Sequence, residues 1–168
     1  PRTGHSFGVY DGQTNGDPAL RQTLANLYPG CTQDNILVTN GSAEANFVAF
    51  WSLLEPGDEV AMMLPNYQLL YGLTRSLGCS VKPFHLREDS NWAPDLDELE
   101  SSLSSRTRVI ALCNPNNPTG AVLCREDMER IVALARRYDC YILSDEIYIG
   151  SELDGVETLS ILGLSDKA

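Results

Sequence analysis

The sequence alternates short runs of β-forming residues with segments of helical periodicity, and this alternation limits the possible folds more than any other feature. The runs predicted as strands are residues 36–39, 59–64, 81–84, 108–112 and 140–144. Strands that alternate with crossover helices form a mainly parallel sheet covered on both faces. We therefore predict an α/β fold with three layers, α/β/α, around a mainly parallel sheet.

The predicted helices lie between these strands and carry apolar residues at helical spacing. Asp17 before Pro18 marks the start of one helix, and Asp95 marks the start of another. The residues expected to face inward are Leu20, Leu24 and Leu27; Phe47, Phe50, Trp51 and Leu54; Leu69, Leu70, Leu73 and Leu77; Leu96, Leu99 and Leu103; and Met128, Ile131, Val132 and Ala135.

Composition argues against several classes of function. The 168 residues carry a net charge of −11, which disfavours binding to a nucleic-acid backbone. No apolar run reaches the roughly 18–20 residues that a membrane helix needs. Five scattered cysteines and two histidines argue against a metal site and favour a reducing, cytoplasmic compartment. Because the chain does not begin with methionine, we expect it to be a piece of a longer protein.

Ligands of parallel sheets bind beyond the carboxyl ends of the strands, so the residues after each strand are candidate site residues. Gly41, Ser42 and Ala43 open a helix after the first predicted strand. They form either an ordinary serine N-cap or an anion site made by backbone N–H groups. Tyr67 follows the second strand, and its ring either packs in the core or lies against a planar ligand.

Polar residues also follow the strands at 108–112 and 140–144. The first is followed by Asn-Pro-Asn-Asn-Pro-Thr-Gly at 114–120, a stiff loop that presents side-chain amides. The second is followed by Asp145, Glu146 and Tyr148, a pattern also seen on the magnesium-binding strand of nucleotide triphosphatases. Neither Lys82 nor Lys167 follows a phosphate-binding glycine loop, and no dinucleotide fingerprint occurs, so neither nucleotide site is expected.

Together, an anion site, an aromatic ring, an amide, a phenol and a carboxylate suit a planar, phosphorylated, basic heteroaromatic ligand. A carboxylate that faces a pyridine nitrogen keeps it protonated, and a protonated ring is the electron sink that stabilises a carbanion.

Four segments follow the order and spacing of the aminotransferase class I/II family, the fold-type-I pyridoxal-phosphate enzymes typified by aspartate aminotransferase. They are 38–45, 65–67, 114–120 and 144–148, which read Val-Thr-Asn-Gly-Ser-Ala-Glu-Ala, Pro-Asn-Tyr, Asn-Pro-Asn-Asn-Pro-Thr-Gly and Ser-Asp-Glu-Ile-Tyr. The chain therefore resembles this family over nearly its whole length. The resemblance implies a pyridoxal 5′-phosphate cofactor, exchange of an amino group between an amino acid and a 2-oxo acid, and a homodimeric full-length enzyme.

The resemblance also assigns residues to the phosphate and to the face of the cofactor ring. Gly41, Ser42 and Ala43 are expected to form the phosphate cradle, and Tyr67 is expected to stack on the pyridine ring. Tyr10 lies near the position of a family tyrosine that reaches the partner subunit's phosphate, although its spacing from Gly16 departs from the family pattern.

Three further residues are assigned to the edge of the ring. Asn117 and Tyr148 are expected to bond its phenolic oxygen, and Asp145 is expected to pair with its nitrogen. Glu146 is interpreted as a structural neighbour rather than a catalytic acid. By the same resemblance, the peptide bonds Leu64–Pro65 and Asn117–Pro118 are predicted to be cis.

What the family carries beyond this stretch is expected to lie beyond Ala168. This includes the catalytic Schiff-base lysine, two arginines that hold phosphate and substrate, and two strands between the segment 36–39 and the other four. Residues 1–168 are then part of the cofactor-binding large domain, with an N-terminal segment at 1–16 and alternating helices and strands at 17–168. The rest of the large domain and the small domain are expected to lie outside these residues, so the 168-residue piece alone is predicted to be inactive.

Two alternatives stay open at this point. The first is another fold-type-I reaction, such as that of a β-lyase, a decarboxylase or a cyclopropane-carboxylate synthase. The second is a non-catalytic half-domain kept for dimerisation. The residues named above do not separate these reactions, because reaction choice depends on groups around the substrate Cα that lie elsewhere.

Overall fold

Five strands and five α-helices occur in the part of the chain that the computed structural model describes, residues 12–153, 155–165 and 168. The helices are α1 (Pro18–Ala25), α2 (Ser42–Leu53), α3 (Gln68–Ser76), α4 (Leu96–Ser102) and α5 (Arg125–Tyr138). The strands are β1 (Glu59–Leu64), β2 (Ser80–Arg87), β3 (Ala93–Pro94), β4 (Thr107–Cys113) and β5 (Tyr141–Asp145). The chain divides into a first unit that ends at Thr39 and a second unit, Asn40–Ala168, that contains the sheet.

The strands form one sheet in the order β3-β2-β1-β4-β5. β1 pairs in parallel with β2 and β4, and β4 pairs in parallel with β5. The two-residue strand β3 pairs antiparallel with the end of β2, where Leu86 lies opposite Pro94. The prediction of a mainly parallel sheet is confirmed. β3 was not predicted, because two residues are too few to show a period.

Helices cover both faces of the sheet, which gives the predicted three layers. Along β1, Val60 and Met62 pack in a cluster with residues of α2 and α3, whereas Ala61 and Met63 pack in a second cluster with residues of α4 and α5. Successive side chains of a strand point to opposite faces, so a strand buried on both faces reads as an unbroken apolar run.

Two predicted helix starts are confirmed by their capping bonds. Asp17 accepts a hydrogen bond from the backbone N–H of Leu20 at 2.9 Å, and Asp95 accepts one from that of Glu98 at 2.9 Å. Such side chains satisfy N–H groups that the first helical turn leaves without a partner.

Residues 36–39 do not form a strand, so this prediction is wrong for the described chain. Ile36 has an extended backbone, but an extended segment becomes a strand only when a neighbour completes its hydrogen bonds. The N–H of Val38 instead donates to the carbonyl of Asn15 at 3.0 Å. Gly16 lies close to the same segment, and a Cβ at its φ of +99° would come within 2.6 Å of the Val38 side chain.

The buried face of α1 also differs from the predicted one. Leu20 and Leu27 are exposed, whereas Arg21 is buried. The guanidinium of Arg21 donates to the carbonyls of Gln33 and Ile36, each at 3.0 Å from Nε. An arginine can therefore occupy the buried face, because backbone carbonyl oxygens accept hydrogen bonds from its guanidinium group.

The buried face of α2 is likewise rotated from the prediction. Phe50 and Leu54 are buried as expected, but Phe47 and Trp51 are 46% and 65% exposed, and their rings stack on each other. Asn46 is buried on the inward face in their place. Because apolar residues lie on most sides of α2, the period alone did not determine which side packs on the sheet.

Candidate ligand-binding site

The Asp145 carboxylate lies at the carboxyl end of β5 and is held by two neutral donors. The side chain is 8% exposed. Its Oδ2 accepts a hydrogen bond from Asn46 Nδ2 at 2.9 Å, and its Oδ1 accepts one from the backbone N–H of Ile147 at 3.3 Å. An ionised carboxylate offers about four acceptor positions, so each oxygen keeps capacity for a further donor.

A cavity of about 260 Å³ opens beside this carboxylate. Its lining brings together residues from the ends of three parallel strands and from the start of α2: Ser42, Ala43, Tyr67, Cys113, Asn117, Asp145, Ile147 and Tyr148. Six of the residues predicted for the site therefore meet at one place. Gly41 directly precedes this lining in the chain, and Tyr10 lies outside the described residues.

The start of α2 favours an anion over an ordinary serine cap. Gly41 occupies the N-cap position with a φ of +93°, and no side chain caps the helix there. Ser42 is the first helical residue, so it is not the N-cap. The N–H groups at a helix start carry partial positive charge, and here the first two helical residues, Ser42 and Ala43, line the cavity.

In the loop 114–120, two of the three asparagines hold the chain in place and the third lines the cavity. Asn114 Oδ1 accepts from the N–H of Leu123 at 2.9 Å. Asn116 Nδ2 donates to the carbonyl of Pro65 at 3.0 Å, while its Oδ1 accepts from Thr119 Oγ1 at 2.7 Å. The abundance of amides therefore has a structural reason at these two positions.

Asn117 is the asparagine that lines the cavity, and it contacts Tyr148. Its Nδ2 donates to the Tyr148 hydroxyl oxygen at 3.3 Å. A hydroxyl that accepts this bond keeps its own proton free to donate to a ligand. The predicted cis bonds at Leu64–Pro65 and Asn117–Pro118 are confirmed, and Asn114–Pro115 is also cis.

Sequence reasoning missed two residues at this site, Asn46 and Cys113. Burial raises the pKa of the Cys113 thiol; a backbone hydrogen bond at Asn117 lowers it, but the charge of Asp145 raises it further. The thiol is therefore neutral and packs as an apolar group. For Asn46, the available signal was an amide one helical turn after Ser42 in a helix rich in apolar residues.

A second cavity of about 610 Å³ shares Asn117 and Tyr148 with the first. The rest of its lining comes mainly from the loop 114–120 and from residues 151–153 and 156–158, including Glu152 and Glu157. The nearby Thr158 hydroxyl and backbone N–H groups, including that of Thr158 at 3.2 Å, lower the pKa of Glu152 to about 2. This cavity lacks the helix start and the Asp145 carboxylate, so the smaller cavity is the better match to a phosphorylated basic ring.

The donor set of the smaller cavity fits pyridoxal phosphate. A helix start, an aromatic ring, a phenol with an amide, and a carboxylate each match one part of that molecule. No group of three or more histidine, cysteine or acidic residues suited to a metal ion occurs among the described residues. None of the described helices is long and apolar enough to cross a membrane.

The chain is similar to one family model and to curated relatives. The model of the family Aminotransferase class I and II matches residues 4–167. The glutamate-pyruvate aminotransferase AlaA of Haemophilus influenzae is 36% identical over 75% of this chain and 31% of its own length. The aspartate aminotransferase of Thermotoga maritima is 38% identical over 79% of this chain and 35% of its own length. The chain thus spans about a third of these relatives.

Solved structures of aminotransferases are also similar to this chain. A PLP-dependent aminotransferase from Streptococcus suis superposes with a TM-score of 0.87 at 39% identity, over 93% of this chain and 41% of that one. The alanine aminotransferase of Pyrococcus furiosus superposes with a TM-score of 0.87 at 33% identity, over 94% of this chain and 41% of that one.

Proposed function

The chain belongs to the aminotransferase class I and II family, and we propose that it carries the pyridoxal-phosphate-binding part of an aminotransferase. The observation that carries this proposal is the meeting of the Asp145 carboxylate, the start of α2 and the Asn117–Tyr148 pair in one cavity. The proposed reaction of the whole protein is the exchange of an amino group between an amino acid and a 2-oxo acid. The names of the relatives include alanine, glutamate, pyruvate and aspartate, so we propose small amino acids and their oxo acids as substrates.

Each part of the site has a proposed role in holding the cofactor. Gly41, Ser42 and Ala43 would bind the phosphate through backbone N–H groups, since a helix start attracts anions. Tyr67, which is half-exposed at the cavity, would lie against the face of the ring. Bound pyridoxal phosphate supplies an electron sink that stabilises negative charge at the substrate Cα.

Asp145, Asn117 and Tyr148 would act on protons at the edge of the ring. The Asp145 carboxylate would hold the proton on the ring nitrogen, because a nearby negative charge favours the charged form of a base. Asn117 fixes the Tyr148 hydroxyl as an acceptor, so the Tyr148 proton would be donated to the phenolic oxygen of the cofactor.

We propose that the Schiff-base lysine is not among the described residues. Lys82 is in β2 and pairs with Glu59 at 3.5 Å, and it does not line the cavity. We further propose that the intact enzyme is a cytoplasmic homodimer in which Tyr10 reaches the partner's phosphate. On this proposal residues 1–168 are part of the large domain and do not turn over substrate alone.

The activity is tested by transamination assays on the intact protein that carries this chain and on the isolated 168 residues. Amino transfer from alanine or aspartate to 2-oxoglutarate is expected for the intact protein, whereas the isolated chain should not exceed a cofactor-only control. Elimination or decarboxylation without amino transfer would refute the proposed reaction. Turnover by the isolated chain would refute its proposed inactivity.

A further inference from the structure

We propose that Asn46 is a positioning residue that fixes the Asp145 carboxylate toward the nitrogen of a bound pyridine ring. This inference rests on the proposed function. Asn46 is 6% exposed, and its Nδ2 lies 2.9 Å from Asp145 Oδ2 although 99 residues separate the two in sequence. The bond therefore joins α2 to the end of β5 across the wall of the cavity.

The surroundings of Asn46 show why this amide is not a routine core residue. It shares the inward face of α2 with Phe50, and Phe50 packs in the apolar cluster against the sheet. A buried amide among apolar neighbours is unfavourable unless its donors are satisfied. Leucine has the same branching and the same number of side-chain heavy atoms and would not carry that cost, so the amide is best explained by its bond to Asp145.

The place of Asn46 on α2 couples the two ends of the proposed ligand. Ser42 and Ala43 at the start of α2 line the cavity, and Asn46 follows one helical turn later. A single rigid helix thus carries the anion-binding N–H groups and the donor that orients Asp145. The spacing between the phosphate and ring-nitrogen positions is then set by the geometry of one helix.

The neutrality of the amide also matters. A lysine or arginine at this position would pair with Asp145 and satisfy its charge. An amide donates one hydrogen bond and leaves the carboxylate negative, with acceptor positions on both oxygens still available. Asn46 therefore orients the anion without supplying the cation that the ring nitrogen would provide.

The proposal predicts coupling between the two residues in a double-mutant cycle on the intact protein that carries this chain. The probe is pyridoxine 5′-phosphate, which has no aldehyde and so requires no lysine. Asn46→Ala should weaken its binding about tenfold, as expected for the loss of a hydrogen bond to a charged group. In an Asp145→Ala background the same change should weaken binding less than about twofold.

Protonation of the bound ring gives a second readout that a purely structural role would not alter. Asp145 holds only the protonated ring, so a tenfold loss confined to that form lowers the pKa of the bound ring nitrogen by about one unit. The absorbance of the bound probe, followed against pH, measures this shift. A general loosening of the site would weaken both forms equally and leave that pKa unchanged.

Two further variants keep the test independent of folding defects. Asn46→Leu removes the donor but keeps the branched shape of the side chain, and it should reproduce the effects of Asn46→Ala in a protein that still unfolds cooperatively. Thr74→Val removes a buried hydroxyl on α3, which donates to the Leu70 carbonyl away from the cavity, and should leave probe binding unchanged. Equal loss of affinity in both backgrounds, or an unshifted pKa, overturns the role of Asn46. If the wild type does not bind the probe, the proposed function is overturned as well.

Discussion

Glu59 and Asp145 are both buried carboxylates at the ends of strands, but their partners differ. Glu59 begins β1 and is 2% exposed; its Oε1 lies 2.6 Å from Arg106 Nη2 and 3.5 Å from Lys82 Nζ. Asp145 ends β5, and within the described chain its side chain contacts the Asn46 amide and the Ile147 N–H. One acid has cationic partners, and the other has only neutral ones among the described residues.

The Glu59 carboxylate stabilises the fold, whereas the Asp145 carboxylate is available to a ligand. Burial raises the pKa of Glu59, but the Ser104 hydroxyl with Lys82 and Arg106 outweighs this and holds it below its ordinary value. Its negative charge is balanced inside the fold. Asp145 lines a cavity with neutral donors, so its charge is left for a cationic group of a ligand. A buried charge is costly unless paired, which is why the neutral surroundings of Asp145 indicate a binding site.

The largest expected effect is on ligand binding at Asp145. Asp145→Ala should weaken the affinity for pyridoxine 5′-phosphate about a hundredfold, because breaking a buried ion pair typically costs about 3–5 kcal/mol and relaxation recovers part of it. The variant should still fold, since the acid lacks a cation in the described chain, but the buried Asn46 amide loses its partner and the free energy of unfolding should fall by about 1–3 kcal/mol. Equilibrium titration measures the affinity. The matched control is Glu146→Gln, which alters the neighbouring acid. An equal loss of probe affinity in the two variants would contradict the assignment of Asp145.

The second prediction concerns Glu59, where a substitution should change stability and not ligand binding. Glu59→Gln should lower the free energy of unfolding by about 2 kcal/mol, because it removes charge-assisted hydrogen bonds to Arg106 and Ser104. Probe affinity should not change. Urea unfolding gives the measurement. Asp97→Asn, which breaks an exposed pair with Arg130, should cost less than about 1 kcal/mol. A Glu59 variant with normal stability and weak binding would contradict the comparison.

A smaller effect is expected at the ring face of the site. Tyr67→Leu should weaken the probe about fivefold, because stacking of aromatic rings contributes about 0.5–1.5 kcal/mol beyond burial. Tyr71→Leu is the matched control, since Tyr71 is also half-exposed but does not line the cavity. Equal affinities for the two variants would remove Tyr67 from the site.

The smallest expected effect is a pH dependence that belongs to Glu59. Its pKa in the folded protein lies below the value of 4.5 for an unperturbed glutamate. A group with a lowered folded pKa adds stability above its unfolded pKa and loses it as the pH falls through the folded value. The stability difference between wild type and Glu59→Gln should therefore be constant near neutral pH and shrink in acid. A stability difference that grows in acid would contradict a lowered pKa of Glu59.

The same contrast shows what the sequence could reveal. Asp145, Asn117 and Tyr148 follow predicted strands, and parallel strands bring their carboxyl ends to one edge, so their meeting was predictable. The presence of Asn46 at the site was not predictable, because it depends on which face of α2 packs against the sheet. Phe47 and Trp51 made the opposite face look equally apolar, and only packing against the sheet decides between them.

The remaining errors also have a physical basis in long-range partners. Residues 36–39 have a strand-like composition, but no local signal tells whether another segment will pair with them. Glu59 likewise reads as an ordinary acid before an apolar run. Its cations come from β2 and from the turn before β4, which approach it only in the folded sheet.

The most direct test of the account is the protonation state of a ring nitrogen bound beside Asp145. Pyridoxine 5′-phosphate labelled with ¹⁵N at the ring can be bound to the intact wild-type protein and to Asp145→Asn, and its ¹⁵N chemical shift recorded at mildly alkaline pH. The account predicts a protonated nitrogen in the wild type and a neutral nitrogen in the variant. The same chemical shift in both proteins would contradict the assignment of Asp145 as the partner of the ring.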